Sequence, residues 1–192
     1  MNNFVVTQAT AAHLGLVPQI VEAFEAVHQN KSTGFASRTP EYLTAKILED
    51  KAIIALDADT GGFAGFCYIE SWGHDRYVAN SGLIVALPYR GMGLAKRIKE
   101  RIFQLSREKY PDAKIFSMTT GAAVMKMNYE LGFRPVTYQE LTHDPEFWKG
   151  CEGCWHFPVL EGRNYKLCIC TGLLYDPKEH IRIHGVEINK NI

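Results

Sequence analysis

The segment Asn80-Ser-Gly-Leu-Ile-Val-Ala-Leu-Pro-Tyr-Arg-Gly-Met-Gly-Leu-Ala-Lys-Arg-Ile-Lys99 constrains the fold of this chain more than any other. Leu83 to Leu87 form a continuous apolar run of strand length, Pro88 ends it, and Arg90-Gly91-Met92-Gly93 supplies backbone with little side-chain bulk. A helix follows, because Leu94, Ile98, Ile102 and Leu105 recur at helical spacing. Lys96, Arg97, Lys99, Glu100, Arg101 and Arg107 are expected on its opposite, solvated face. A buried strand that passes through a glycine turn into a helix presents free amide N–H groups to an anion, and the glycines permit close approach. The first turn holds no Asp or Glu and is flanked by Arg90, Lys96 and Arg97, which favours an external anion such as phosphate.

The spacing separates this cradle from other phosphate loops. There is no G-x-x-x-x-G-K-[ST], and Lys96 and Arg97 stand where the dinucleotide pattern G-x-G-x-x-G wants a third small residue. What remains is R-x-x-G-x-A, in Arg90-Gly91-Met92-Gly93-Leu94-Ala95, and here the chain resembles the GNAT family of acyl-CoA-dependent N-acyltransferases. Two further segments support the resemblance over about residues 4 to 140. Phe63-Ala-Gly-Phe-Cys-Tyr-Ile69 looks like a family strand, and Asn128-Tyr-Glu-Leu-Gly-Phe133 looks like its Y-E-x-x-G-F segment.

The remaining sequence fits one such domain. With 192 residues the chain is long enough for one buried core, and it is read as a single domain over 1–192. Phe4 to Thr7 reads as a strand. Pro18 opens a helix through Ile20, Phe24 and Val27, and Thr39-Pro40-Glu41 opens a second that stops near Asp50. Ala52–Leu56 and Phe63–Ile69 are strands joined by the turn Asp57 to Gly62. Ile115–Met118 is another strand, Ala122–Leu131 a helix closed by Gly132, and a strand lies near Val136. The expected fold class is α/β, a mixed and mostly antiparallel sheet with helices on both faces. The resemblance implies that the sheet is splayed at the cofactor strand. A cysteine-containing insertion is expected at about 141–164, then a last strand at about 165–175 and a C-terminal tail.

Basic and acidic residues number 21 each, so overall charge gives no support for nucleic acid as a partner. No apolar run approaches the ~20 residues of a membrane span. The N-terminus lacks the pattern of a secretory signal, and five cysteines then point to a reducing compartment, the cytoplasm. A homodimer is compatible with this reading.

The resemblance assigns roles. The backbone of Leu83, Ile84 and Val85 would receive the pantetheine arm and thioester oxygen. The amides of Gly91, Met92, Gly93, Leu94, Ala95 and Lys96 would take the pyrophosphate of coenzyme A, with Arg90 at its edge. Thr120, in Thr119-Thr120-Gly121, stands where the family often has asparagine. Counting back from Gly132 puts Asn128 at the position of the family's proton-donating tyrosine, and Tyr129 one residue late, about 100° around a helix. Glu70 and His74 are candidates for the base that takes a proton from the acceptor ammonium. Arg38, Arg76, Lys126 and Arg134 are candidate cations for an acidic acceptor. Arg38 leads because it lies between the first two helices, which in this family cover the acceptor.

A narrower resemblance rests on Thr33-Gly-Phe-Ala-Ser-Arg38, Val78-Ala-Asn-Ser-Gly82, Phe147-Trp-Lys-Gly-Cys-Glu-Gly-Cys154 and Cys168-Ile-Cys-Thr-Gly-Leu-Leu-Tyr-Asp-Pro177. These segments are similar to bacterial acyltransferases encoded with arginine-biosynthesis enzymes. That implies acetyl-CoA or succinyl-CoA as donor and the α-amino group of glutamate as acceptor. Other readings stay open: a sensory module that binds the cofactor without turnover, or a cysteine segment that docks a partner. The four cysteines Cys151, Cys154, Cys168 and Cys170 suffice for a tetrahedral structural zinc, or stand as free thiols, or do redox chemistry. Cys67, on a central strand, is expected in the core.

Overall fold

The structure, a computed structural model, describes residues 3–29, 37–183 and 186–189. Most of the Thr33–Arg38 segment lies outside the described residues, as do Met1, Asn2 and residues 190–192 of the C-terminal tail; Ser37 and Arg38 lie within them.

The first strand, β1 (Phe4–Gln8), leads into α1 (Val17–His28) and α2 (Pro40–Leu48). Pro18 and Pro40 sit in first turns, where a missing N–H costs nothing, and the Thr39 hydroxyl caps α2 by accepting from Tyr42 N at 3.3 Å. A hairpin joins β2 (Ala52–Asp57) to β3 (Phe63–Trp72); the Asp57 carboxylate holds its turn by accepting from the amides of Asp59 and Thr60. Then come β4 (Tyr77–Val85), α3 (Leu94–Lys109), β5 (Lys114–Thr119), α4 (Ala122–Glu130) and β6 (Arg134–Val136). The insertion carries two short helices, α5 (Pro145–Lys149) and α6 (Phe157–Glu161), and returns through β7 (Thr171–Tyr175). A small hairpin, β8 (His180–Ile183) with β9 (Val186–Asn189), follows.

Seven strands form one sheet in the order β1-β2-β3-β4-β5-β7-β6, in which β4 and β5 are the parallel pair and the others antiparallel. Strand alternation splits the core between two faces. Ile53, Cys67, Val78 and Ile115 pack beneath α3. On the other face Ile54, Phe66 and Tyr68 meet α1 and α2, while Ala79, Phe116 and Leu174 meet the insertion.

Two expectations need correction. The strand expected at about 165–175 begins at Thr171, so Cys168 and Cys170 lie on irregular chain ahead of it. Leu167 and Ile169 alternate with those cysteines as a strand would, but are 57% and 49% exposed and pair with no strand among the described residues. Lys99, expected in solvent, is buried at 2% exposure; it lies one residue from the Ile98 seam and turns inward to partners that its own helix does not reveal.

Candidate active site

The parallel pairing of β4 with β5 covers only Tyr77–Ala79 against Lys114–Phe116. Beyond Ala79, β4 stays with β3 as far as Val85, while β5 continues against β7. The two strands therefore part, and the β4 backbone from Ser81 onward has no ladder partner on its β5 side among the described residues. The bend is built into β4 at Gly82 (φ +65°), where the register against β3 shifts. A Cβ at Gly82 would stand 2.3 Å from Tyr68 Cε1, so only glycine fits.

A cavity of about 1020 Å³ lies over this parting, between α1–α2 on one side and the insertion on the other. Leu83, Ile84, Val85, Arg90, Ala95 and Thr120 line it. A second cavity of about 450 Å³ adjoins it at Val85, Arg90 and Ala95 and is lined by Gly91, Gly93, Leu94 and Lys96. Gly91 and Gly93 hold φ of +78° and +77°, with nothing within 4 Å of where a Cβ would be, and Gly93 caps α3 without a side-chain bond. The first-turn amides are thus available to an anion, except that of Lys96, which donates to Gly93 O at 3.2 Å. The Lys96 ammonium pairs with Glu130 of α4 at 2.8 Å, and Arg90 Nε donates to Val85 O at 3.1 Å, fixing the end of β4. Met92, 51% exposed, lines neither cavity.

At the other end of the larger cavity stand Arg38, Tyr42 and Glu70. The Tyr42 hydroxyl donates to the Glu70 carboxylate, and Arg38 Nε donates to the Tyr68 hydroxyl at 2.6 Å. Arg38 Nη1 donates to Ser37 O at 2.8 Å, and its guanidinium lies over the Tyr42 ring. No partner to Nη2 is found among the described residues. Burial works against the Arg38 charge, but Tyr68, Glu70 and Tyr42 around it hold its pKa above the usual value. Burial, then Tyr68 and Glu70, push the Tyr42 hydroxyl well above the phenol range, so it stays a proton donor to Glu70. From the sequence Tyr42 and Tyr68 each read as an ordinary core aromatic; Tyr42's place in the first turn of the helix that Arg38 precedes is the available signal.

The other expected residues fall elsewhere. Tyr129 is 72% exposed and lines neither cavity, in keeping with the one-residue displacement. Asn128 is fully buried and lines neither; both polar atoms of its side-chain amide lack a hydrogen-bond partner among the described residues. Arg76 lines neither and donates to Gly73 O, and His74 is an exposed loop residue. Lys126 lines the smaller cavity, on the side of the glycine turn. Arg134 is committed to Glu140 and Glu179. Thr119, beside Thr120, accepts from Gly121 N at 3.0 Å and organises the start of α4.

Cys151, Cys154, Cys168 and Cys170 do come together, on the wall of the larger cavity. Burial and the neighbouring thiols raise Cys151 to about 11 and Cys170 to about 12, which keeps both protonated near neutrality. Among the described residues no three His, Cys, Asp or Glu side chains are arranged to hold a metal ion. Cys168 and Cys170 lie on irregular chain, and Cys154 and Cys168 make sulfur contacts with the His156 backbone. The cysteine wall is also tied to α1, since Trp155 Nε1 donates to His28 O at 3.2 Å and the two rings stack.

No protein-family model and no curated protein matches the sequence. Solved structures do. N-acetylglutamate synthase from Neisseria gonorrhoeae, complexed with coenzyme A and N-acetyl-glutamate, superposes with a TM-score of 0.64 at 17% identity, covering 92% of this chain and 35% of that one. The present chain thus spans about a third of that protein's length. A GNAT superfamily phosphinothricin acetyltransferase from Sinorhizobium meliloti, in complex with acetyl-CoA, gives 0.60 at 14% identity, covering 92% and 89%. A GCN5-related N-acetyltransferase from Kribbella flavida gives 0.57 at 18% identity, covering 90% and 97%. At such identities the likeness is one of fold.

Proposed function

We propose that this chain, which has the fold of the GNAT acetyltransferases, is an acyl-CoA-dependent N-acyltransferase. The observation that carries the proposal is the parting of β4 from β5 over a cavity that ends at the glycine turn of α3. An acyl-CoA bound there supplies an acyl group already activated as a thioester. The unpaired β4 backbone from Leu83 to Val85 would orient its pantetheine amides, and the amides of Gly93 to Ala95, with Arg90 and Lys126 nearby, would hold its phosphates.

The favoured acceptor is a small amine that bears a carboxylate, with glutamate first and a role in arginine biosynthesis. Nη2 of Arg38, which has no partner among the described residues, would take the carboxylate, and Glu70, held by Tyr42, would take the ammonium proton. The freed amine forms the C–N bond as the C–S bond breaks, and the second proton that the nitrogen sheds passes to the thiolate directly or through water, without a covalent enzyme intermediate. With Tyr129 outside the cavity, the hydroxyls of Thr119 and Thr120 and water are the candidates to meet the departing thiolate. That same displacement favours one second reading, a module that binds acyl-CoA without turnover.

Thiol release from acetyl-CoA and from succinyl-CoA, measured over a panel of amino acids, separates the two. Turnover fastest with glutamate is the expected result. Tight coenzyme A binding with no turnover on any acceptor would replace the enzyme with the binding module.

A further inference from the structure

Asn80 is the first residue of β4 beyond its pairing with β5, and its side chain turns beneath α3. Its Oδ1 accepts from the Lys99 ammonium at 3.1 Å, and its Nδ2 donates to Ser106 Oγ at 2.7 Å. Ser106 Oγ in turn donates to Ile102 O at 2.8 Å, so both ends of the Asn80 amide are tied to the helix. Lys99 is 2% exposed, Asn80 8% and Ser106 0%. Among the described residues the ammonium has no carboxylate partner; it lies 5.1 Å from the centre of the Phe133 ring. Among the described residues, the titratable group that faces it is the Cys67 thiol of β3, which donates to Ser81 O at 3.2 Å; Asn80 of β4 and Phe133 are uncharged. A buried ammonium without a counter-charge is costly, and an apolar side chain of similar shape would serve packing better.

The position explains what the ammonium is for. A strand that leaves its neighbour forfeits ladder hydrogen bonds, and β4 would recover them by continuing beside β5 at Ser117. That continuation would close the gap in which the donor is proposed to bind. We propose that Lys99 and Asn80 form a clamp that draws β4 toward α3 and holds it apart from β5. Lys99 is then a positioning residue for acyl-CoA that touches no atom of it. This rests on the acyltransferase reading. The charge strengthens the bond to Asn80, and burial lowers the Lys99 pKa to about 8, so the clamp weakens as pH rises past that value.

The test is coenzyme A affinity by calorimetry, with acceptor KM and thermal unfolding measured on the same samples. Lys99→Met is expected to unfold at no lower temperature than the parent, to bind coenzyme A at least tenfold more weakly, and to leave acceptor KM unchanged. A residue that only packs would lower the unfolding temperature and leave affinity alone. Asn80→Asp, which gives Lys99 a carboxylate, is expected to retain affinity and to move its alkaline decline to higher pH; it decides the matter if Lys99→Met does not fold. An unchanged pH profile in Asn80→Asp, or equal affinity in folded Lys99→Met, overturns the clamp. A parent that does not bind coenzyme A refutes the acyltransferase reading instead.

Discussion

The two ends of the cavity are built from different materials. The proposed donor end is backbone: one strand edge left open, two glycines with positive φ, and the first turn of α3, all within residues 80–99. The proposed acceptor end is side chains from separate segments. Arg38 comes from the chain just before α2, Tyr42 from the first turn of α2, Glu70 from β3, and the thiols from the insertion and the chain that follows it. A backbone site serves any ligand with the same phosphates and amides, whereas a side-chain site is set residue by residue. The donor should thus tolerate changes at the acceptor end, and the reverse.

The sharpest way to break that separation is Glu70→Gln. Loss of the proton acceptor should lower kcat by about 10²–10⁴-fold while coenzyme A affinity stays constant in calorimetry. A parallel fall in coenzyme A affinity would mean that the two ends are not independent.

Lys99 is the side-chain exception at the donor end, and its effect on stability has a definite sign. Its pKa is about 8 when folded, against 10.5 for an unperturbed lysine. Between these values the unfolded chain binds the extra proton, so this group makes stability rise with pH from about 8 to 10.5. The full difference is about 3 kcal/mol. Urea unfolding of parent and Lys99→Met at pH 7.5 and 10 should show the variant to be the more stable at pH 7.5, with the gap narrowing at pH 10. A gap that does not change with pH would mean that Lys99 is not buried as a cation.

Removing the acceptor's counter-ion is a smaller perturbation. Arg38→Met should raise acceptor KM by about 10–100-fold for amino acids with a side-chain carboxylate, as expected for a charge-assisted bond, and leave the KM for acyl-CoA alone. Equal loss for neutral and acidic amino acids would assign Arg38 to packing with Tyr68. At the other end, Gly93→Val forces a β-branched residue to φ +77°, a strain of about 1–2 kcal/mol. The expected reading is an acyl-CoA KM raised about tenfold with acceptor KM unchanged.

The same contrast explains what could be read in advance. The donor end is contiguous, and its glycines, its apolar run and the seam of α3 are local signals, so strand, turn and helix were all legible. Lys99 was not, because its burial depends on Asn80 and Phe133, each remote in sequence, while its own neighbours Arg97, Glu100 and Arg101 mark a wet face. At the acceptor end, Glu70 was legible as the polar end of a central strand, and Arg38 as a cation between two helices. Their partners Tyr42 and Tyr68 were hidden, since an aromatic at helix or strand spacing carries no mark of a cavity. The cysteines illustrate the limit of spacing alone: C-x-x-C and C-x-C converge on one wall, but the strand expected under Cys168 and Cys170 begins only at Thr171.

The central claim is that the open edge of β4 and the turn before α3 together receive the donor. Amide hydrogen exchange of the full chain with and without coenzyme A tests it directly. The account predicts slowed exchange at Ser81–Val85 and at Gly91–Ala95, with little change at Arg38–Tyr42. Bound coenzyme A that leaves both stretches of backbone exchanging as before would contradict it.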